Sequence, residues 1–326
     1  MAIDQNIVHA VAVLKAGGLV AFPTETVYGL GADASSAAAV AKIYAAKGRP
    51  ANHPLIVHVA DAVQLALWAR VVPPAAHTLA ETYWPGPLTL ILKRAARVPD
   101  AVTGGQDTVA LRVPAHPVAL ALLRAFGGGV AAPSANRFGR VSATTAQHVQ
   151  REFGETVGCV LDGGACELGI ESTIVDLSRG EPVLLRPGHI TGEQLERVLG
   201  RPLRAPDASA PRAPGTLARH YAPQTPVMLM EADLVLELAA SLTRQGRRVA
   251  VLARSALQPL QDGITWIAAP RDAVAYGHAL YANLRALDDA GCDALLVEEP
   301  PPGPEWTAVR DRLMRAAAGA EAPDQG

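Results

Sequence analysis

The sequence predicts a two-domain α/β protein, and three observations carry that prediction. A chain of 326 residues is about two domains long. Short apolar runs rich in Val, Leu, Ile and Ala alternate with helical patterns along nearly all of it, as buried strands and their covering helices require. Between residues 201 and 226 the composition shifts: Pro202, Pro206, Pro211, Pro214, Pro223 and Pro226 mark a linker. The expected boundaries are 1–204, 205–226 and 227–326.

Each element follows from local chemistry. Asp4 caps a helix over residues 4–16, which Gly17 stops. Residues 19–22 are a strand. Residues 36–47 are helical, with Val40, Ile43 and Tyr44 on one face, and Gly48 and Pro50 end them. A strand at 55–59 precedes helical segments near 62–70 and 74–83. Strands follow at 88–93 and 108–113, a helix at 117–126, a strand at 130–132 and a helix at 145–153. Strands at 159–162, 172–176 and 183–186 and a helix at 191–199 complete the first domain. In the second, strands at 227–230, 249–253, 264–268 and 295–298 have helical segments between them, and a helix spans 305–318. That reads as a small parallel α/β domain. The tail after Gly319 is expected to fray.

Composition excludes several classes. Apolar residues make up 49% and charged residues 18%, so the chain is not disordered. A net charge of −2 argues against a protein that coats nucleic acid but leaves room for a local basic cleft. Cys159, Cys166 and Cys292 form no CxxC pair and no even disulfide framework, which suits a reduced, cytoplasmic setting. No apolar run approaches the roughly 18 residues that span a bilayer, so no membrane partner is expected.

The chemistry gathers at strand ends. Residues 23–31, Pro-Thr-Glu-Thr-Val-Tyr-Gly-Leu-Gly, follow the first strand and place two hydroxyls, a carboxylate and a phenol together, with Gly29 and Gly31 suited to close backbone approach. Residues 29–34 echo the dinucleotide pattern GxGxxA. Six residues separate the strand from its first glycine, however, and the acidic residue expected about 20 positions on is missing. Lys47 and Arg49 flank a helix terminus. That placement suits either the helix macrodipole or a phosphate, and His53, His58, Arg112 and Arg186 at other strand ends favour the phosphate. Ser134 and Asn136 follow another strand, where they can bond a ligand or close a turn. The two histidines lack metal-ligand spacing.

These pieces, eight blocks in one order, resemble the YrdC-like threonylcarbamoyl-AMP synthases in their long form. The blocks are residues 23–31, 47–50, 54–58, 84–89, 111–114, 133–136, 171–176 and 185–188, with 214–216 and 220–223 resembling the long form's linker. The resemblance implies a twisted mixed-sheet catalytic domain, a Rossmann-like C-terminal domain, and a nucleotidyltransferase. Its reaction would join L-threonine, bicarbonate or CO2, and ATP into threonylcarbamoyl-AMP and pyrophosphate, for a partner machinery that modifies tRNA. Lys47 and Arg49 would be catalytic. Thr26, His58, Arg112 and Ser172 would hold threonine. His53, Thr108, Ser134, Asn136, Ser142 and Arg186 would join Lys47 and Arg49 on ATP, and Tyr221 would close the linker over the nucleotide as a lid. Mg2+ would ride on the ATP phosphates, with no protein ligand implied. Departures are His53, where many relatives carry Asn, and Thr216-Leu217-Ala218, where others place Met-Lys-Tyr. The competing readings are a double-stranded RNA or tRNA-binding module without ATP chemistry and a nicotinamide-cofactor protein.

Overall fold

The computed structural model describes residues 4–258 and 263–318. The expected frayed tail lies outside the described residues. Spatially the chain forms two units, Met1–Phe138 with Ser142–Thr216, and Gly139–Val141 with Leu217–Gly326.

The first unit opens with α1 (Gln5–Lys15), capped by Asp4 through the Asn6 amide. Strand β1 (Val20–Phe22) then pairs antiparallel with β2 (Gly29–Asp33). The expected turn at 23–31 is thus shorter, and its two glycines belong to a strand. A Cβ at Gly31 would lie 2.7 Å from Val130 Cγ1 and 2.8 Å from the Phe22 ring; one at Gly29 would lie 3.3 Å from the same ring. The glycines make room for Phe22 and Val130 rather than for a ligand. Helix α2 (Ala37–Lys47) is capped by Ser36 and ends at Gly48 with φ of 62°. Strand β3 (Ile56–His58) follows.

The helix expected over 62–70 is a single 3-10 turn, Ala62–Gln64, and a short α3 (Leu65–Trp68). Residues Ala69–Val71 leave it as β4, a strand pairing with Leu88–Arg94. Ala69 pairs with Arg94 and Val71 with Lys93, which satisfies backbone groups that a longer helix would have used. Then come α4 (Pro74–Tyr83), β5 (Leu88–Arg94), the unforeseen α5 (Asp100–Thr103), β6 (Thr108–Arg112), α6 (Pro117–Phe126), β7 (Val130–Ala131) and α7 (Ala146–Phe153). Strands β8 (Cys159–Val160), β9 (Thr173–Asp176) and β10 (Val183–Arg186) and helix α8 (Gly192–Leu199) complete the unit.

Its ten-stranded mixed sheet runs β10-β9-β5-β6-β3-β7-β2-β1-β8, with β4 beside β5. Register separates its two faces. Leu90 lies opposite Leu111, and Ile91 opposite Ala110, so alternate residues point to opposite sides. Val57, Leu88, Leu90, Leu92, Val109, Leu111 and Val175 enter the main core with residues of α2, α4 and α8. The other face carries Ile56, Ile91, Ala110, Ile174, Val183 and Leu185, a smaller apolar patch that Ala213 completes.

Ala213 lies in the proline-rich segment, which is therefore no free spacer up to Thr216. Gln106 bonds the Arg212 backbone twice, at 2.7 and 3.1 Å, and Arg186 Nη1 donates to the Pro214 carbonyl at 2.8 Å. Its prolines stiffen a strap laid on the sheet rather than a loose tether.

The second unit holds a parallel sheet of order β11-β14-β12-β13. Its elements are β11 (Val227–Met230), α9 (Ala232–Arg244), β12 (Val249–Ala253), β13 (Ile264–Ala268), α10 (Ala273–Asp289), β14 (Ala294–Glu298) and α11 (Thr307–Ala317). The connection from β12 to β13 was expected to be helical. Its described part, residues 254–258, is not; Glu298 instead fastens it by accepting the amides of Arg254, Ser255 and Ala256. No helix among the described residues is long and apolar enough to cross a membrane.

Candidate active site

By strand register His58, Thr108 and Arg112 lie on the same sheet face as the small apolar patch, beyond its two ends. Four register steps separate Thr108 from Arg112 on that face, about 13 Å.

At one end, cations converge. Lys47 closes α2, and its Nζ donates to the Ser134 carbonyl at 2.6 Å and to that of Asn136. Burial, then the neighbouring Arg49 charge, pushes its pKa well below the usual lysine value, while Glu152 opposes this. Both of its bonds run to carbonyl acceptors, which an ammonium suits best. Gly48 turns the chain so that Arg49 follows directly; Arg49 Nη2 donates to the Pro54 carbonyl at 3.0 Å, and its guanidinium lies 5.8 Å from the Phe138 ring centre. His53 stands edge-on to that ring at 5.4 Å, half-buried. Burial, Arg49 and Arg212 lower its pKa in that order. Thr108 opens β6 and, by the β3–β6 register, lies near Pro54. Ser134 pairs with Gly29 across an isolated bridge. Six of the expected nucleotide residues, Lys47, Arg49, His53, Thr108, Ser134 and Asn136, thus gather here.

At the other end, His58 closes β3 directly opposite Arg112 on β6. Arg112 is 3% exposed and held from three sides: Nη1 donates to Thr26 Oγ1 at 2.9 Å, Nη2 to Glu25 Oε1 at 2.7 Å, and Nε to the Gly86 carbonyl at 3.2 Å. Of its five N–H groups, two remain without a protein acceptor among the described residues. Thr24 organises the turn that supplies Glu25 and Thr26, bonding Thr26 Oγ1 at 2.8 Å and the Val27 carbonyl at 2.6 Å. Burial, followed by the Arg112 charge, drives the His58 pKa down to about 3, so the ring is neutral at pH 7.

Ser172 sits just before β9. Its Oγ bonds Thr89 Oγ1 at 2.8 Å, and its carbonyl accepts Arg186 Nη2 at 2.9 Å and Nε at 3.1 Å. Ser142, fully buried, donates to Glu171 Oε1 at 2.6 Å. Ser142 and Arg186, expected on the nucleotide, are therefore placed by residues 171–172 beside the Arg112 end. Tyr221 belongs to the second unit. It is 1% exposed with φ of 61°, stacks on Tyr281 at 5.7 Å and lies under the Arg312 guanidinium at 5.1 Å.

Sequence reasoning missed Glu25, Thr89, Glu171 and Phe138. Glu25, Thr89 and Glu171 lay inside the quoted blocks 23–31, 84–89 and 171–176, so membership of a block was the available signal; Phe138 gave none. Among the described residues no group of three or more His, Cys, Asp or Glu side chains could hold a metal ion.

Cations at one end and an oriented arginine at the other suit an extended substrate carrying phosphates and a carboxylate. The family model Sua5_yciO_yrdC, described as "Telomere recombination", matches residues 12–188. A second model, "Threonylcarbamoyl-AMP synthase, C-terminal domain", matches residues 190–318. Threonylcarbamoyl-AMP synthases of Pyrococcus abyssi and Bacillus subtilis are 40% and 42% identical, covering 93% and 97% of this chain and 92% and 94% of their own length. The crystal structure of P. abyssi Sua5 complexed with L-threonine superposes with a TM-score of 0.89 at 40% identity, covering 96% of this chain and 94% of that one. The chain belongs to the Sua5–YciO–YrdC family, in the form that carries the threonylcarbamoyl-AMP synthase C-terminal domain.

Proposed function

We infer that the chain is a nucleotidyltransferase that makes L-threonylcarbamoyl-AMP and pyrophosphate from L-threonine, bicarbonate or CO2, and ATP. The observation that carries this is the gathering of Lys47 and Arg49 beside Pro54 and Ser134, at one end of β3 and β6, with Arg112, oriented by Glu25 and Thr26, at the other.

The threonine carboxylate would take the two remaining N–H groups of Arg112, with Thr26, neutral His58 and Ser172 around the amino acid. A neutral His58 accepts a proton-bearing group without repelling it. The amine and CO2 form a carbamate, and one of its oxygens attacks the α-phosphorus as the bond to pyrophosphate breaks. Such in-line chemistry needs positioning and positive charge more than a protein nucleophile. Lys47 and Arg49 would supply that charge, with His53, Thr108, Ser134 and Asn136 along the nucleotide. Ser142 and Arg186, fixed by Glu171 and Ser172, would stand where the two substrates meet. Mg2+ would bind through the phosphate oxygens and neutralise part of their charge. The product would pass to a transferase machinery acting on tRNA in the cytoplasm.

The test is pyrophosphate release by the purified chain with ATP, Mg2+ and bicarbonate, with and without L-threonine. Release that depends on threonine and yields a threonylcarbamoyl adenylate by mass is expected. Release of equal rate without threonine, or none with all substrates, would overturn the reading.

A further inference from the structure

Arg212 has no place in the scheme above, yet the strap delivers it to the nucleotide end. Its Nε donates to the Asn52 carbonyl at 3.3 Å and its Nη2 to the Gly104 carbonyl at 3.0 Å. Asn52 immediately precedes His53, whose pKa falls in part through the Arg212 charge. Gly104 holds φ of 61° and presses against Asn52: a Cβ there would lie 2.4 Å from the Asn52 carbonyl oxygen. Two loops are thereby fixed in contact, and the guanidinium bridges their carbonyls. Gln106 clamps the Arg212 backbone from both sides. No carboxylate pairs with Arg212 among the described residues, and the side chain is exposed, with Nη1 making no protein hydrogen bond there.

A passive staple between two carbonyls needs no charge. A guanidinium fixed by neutral acceptors, lacking a counter-ion and close enough to His53 for its charge, like that of Arg49, to act there, keeps its full charge for a ligand. We propose that Arg212 is a further substrate-binding residue, which pairs with the polyphosphate of ATP and with the pyrophosphate that leaves. The proposal rests on the ATP reading. It also gives the strap a function: nucleotide binding would hold the first part of the linker on the sheet, alongside the Arg186–Pro214 bond.

The experiment compares binding of ATP, pyrophosphate and AMP to the full chain by calorimetry, for wild type, Arg212→Gln and Arg212→Lys, with melting temperatures alongside. Arg212→Gln should weaken ATP and pyrophosphate about three- to fivefold, the upper end for one exposed charge contact, and leave AMP unchanged. Arg212→Lys should recover most of that loss, because charge rather than the double carbonyl bond is what the phosphates read. In turnover, Arg212→Gln should raise the KM for ATP with the KM for threonine unchanged. Equal losses for ATP and AMP, equal losses in both variants, or unchanged ATP binding would each leave Arg212 a structural staple and overturn the proposal. A wild-type chain that binds ATP but releases no threonine-dependent pyrophosphate would instead sink the enzymatic reading, and the comparison of ATP with AMP would still decide the role of Arg212.

Discussion

Replacing Glu25 with glutamine isolates the energetics of the buried pair that orients Arg112. The two side chains are 6% and 4% exposed, and Nη2 meets Oε1 at 2.7 Å. The second oxygen, Oε2, accepts the Ala115 amide at 3.0 Å. Both neighbours donate, so both carboxylate oxygens must accept. A glutamine has one oxygen and one NH2 group; whichever way it turns, a donor faces a donor. The lost charge-assisted bond and the newly unsatisfied group together should cost about 3–5 kcal/mol, the usual cost of breaking a buried pair from one side. Removing both charges, as in Glu25→Leu with Arg112→Met, should cost less than Glu25→Gln alone, since no orphaned charge remains. The assay is native-state hydrogen exchange across a urea series, followed in the peptide that carries β6, which reports the first unit without assuming that both units unfold together. A Glu25→Gln protein within about 0.5 kcal/mol of wild type, or a double variant as unstable as the summed singles, would refute the reasoning.

Arg49→Ala should weaken ATP binding by about 2–5 kcal/mol if the guanidinium meets a desolvated phosphate, measured by calorimetry; an unchanged affinity removes Arg49 from the site. The fully buried His58, whose pKa falls from 6.5 to about 3 on folding, binds protons more readily when unfolded. The stability it confers is therefore complete above pH 6.5 and declines as the solution is acidified toward pH 3. Between pH 7 and 4.5 the first unit should lose about 2–3 kcal/mol from this source, and His58→Asn should flatten that limb of the urea midpoint against pH. Gly31→Ala should destabilise by about 1–3 kcal/mol through its contacts with Val130 and Phe22, seen as a lower melting temperature; Gly48→Ala has open space around its Cβ and pays only for its left-handed backbone. Ala213→Glu should lower the melting temperature by burying a carboxylate against Ile56, Ile91 and Ile174, at a cost of about 2–4 kcal/mol, and leaves a fold with the strap detached.

Local chemistry made much of the fold legible. Asp4 and Gly48 cap the helices they were expected to cap, Ser36 caps the helix it was expected to begin, and the apolar runs became strands. Strand β2 was hidden because its sequence, Gly-Leu-Gly-Ala-Asp, lacks β-branched residues; the pressure for small residues comes from Phe22 and Val130, which are not local. Strand β4 was hidden because Ala69 and Val71 owe their conformation to pairing with Arg94 and Lys93, with Arg70 at the irregularity between them. For the site, residue types at strand ends indicated which side chains would gather. They did not indicate which would bind one another, because Glu25 and Arg112 stand 87 positions apart and Arg186 meets Ser172 across two strands. Hydrogen bonding of that kind is fixed by topology, and topology is a property of the whole sheet.

The strap also bears on how such a protein can be shortened. Composition places the end of the first domain near residue 204, but the cover of its second sheet face ends with Thr216. A chain stopped before Ala210 would bare the isoleucines of β3, β5 and β9 as a sticky plane and would strip Arg186 of the Pro214 carbonyl. Twelve residues past the apparent boundary thus decide whether the first unit can stand alone, and a relative without this extension must cover or recolour that plane by other means.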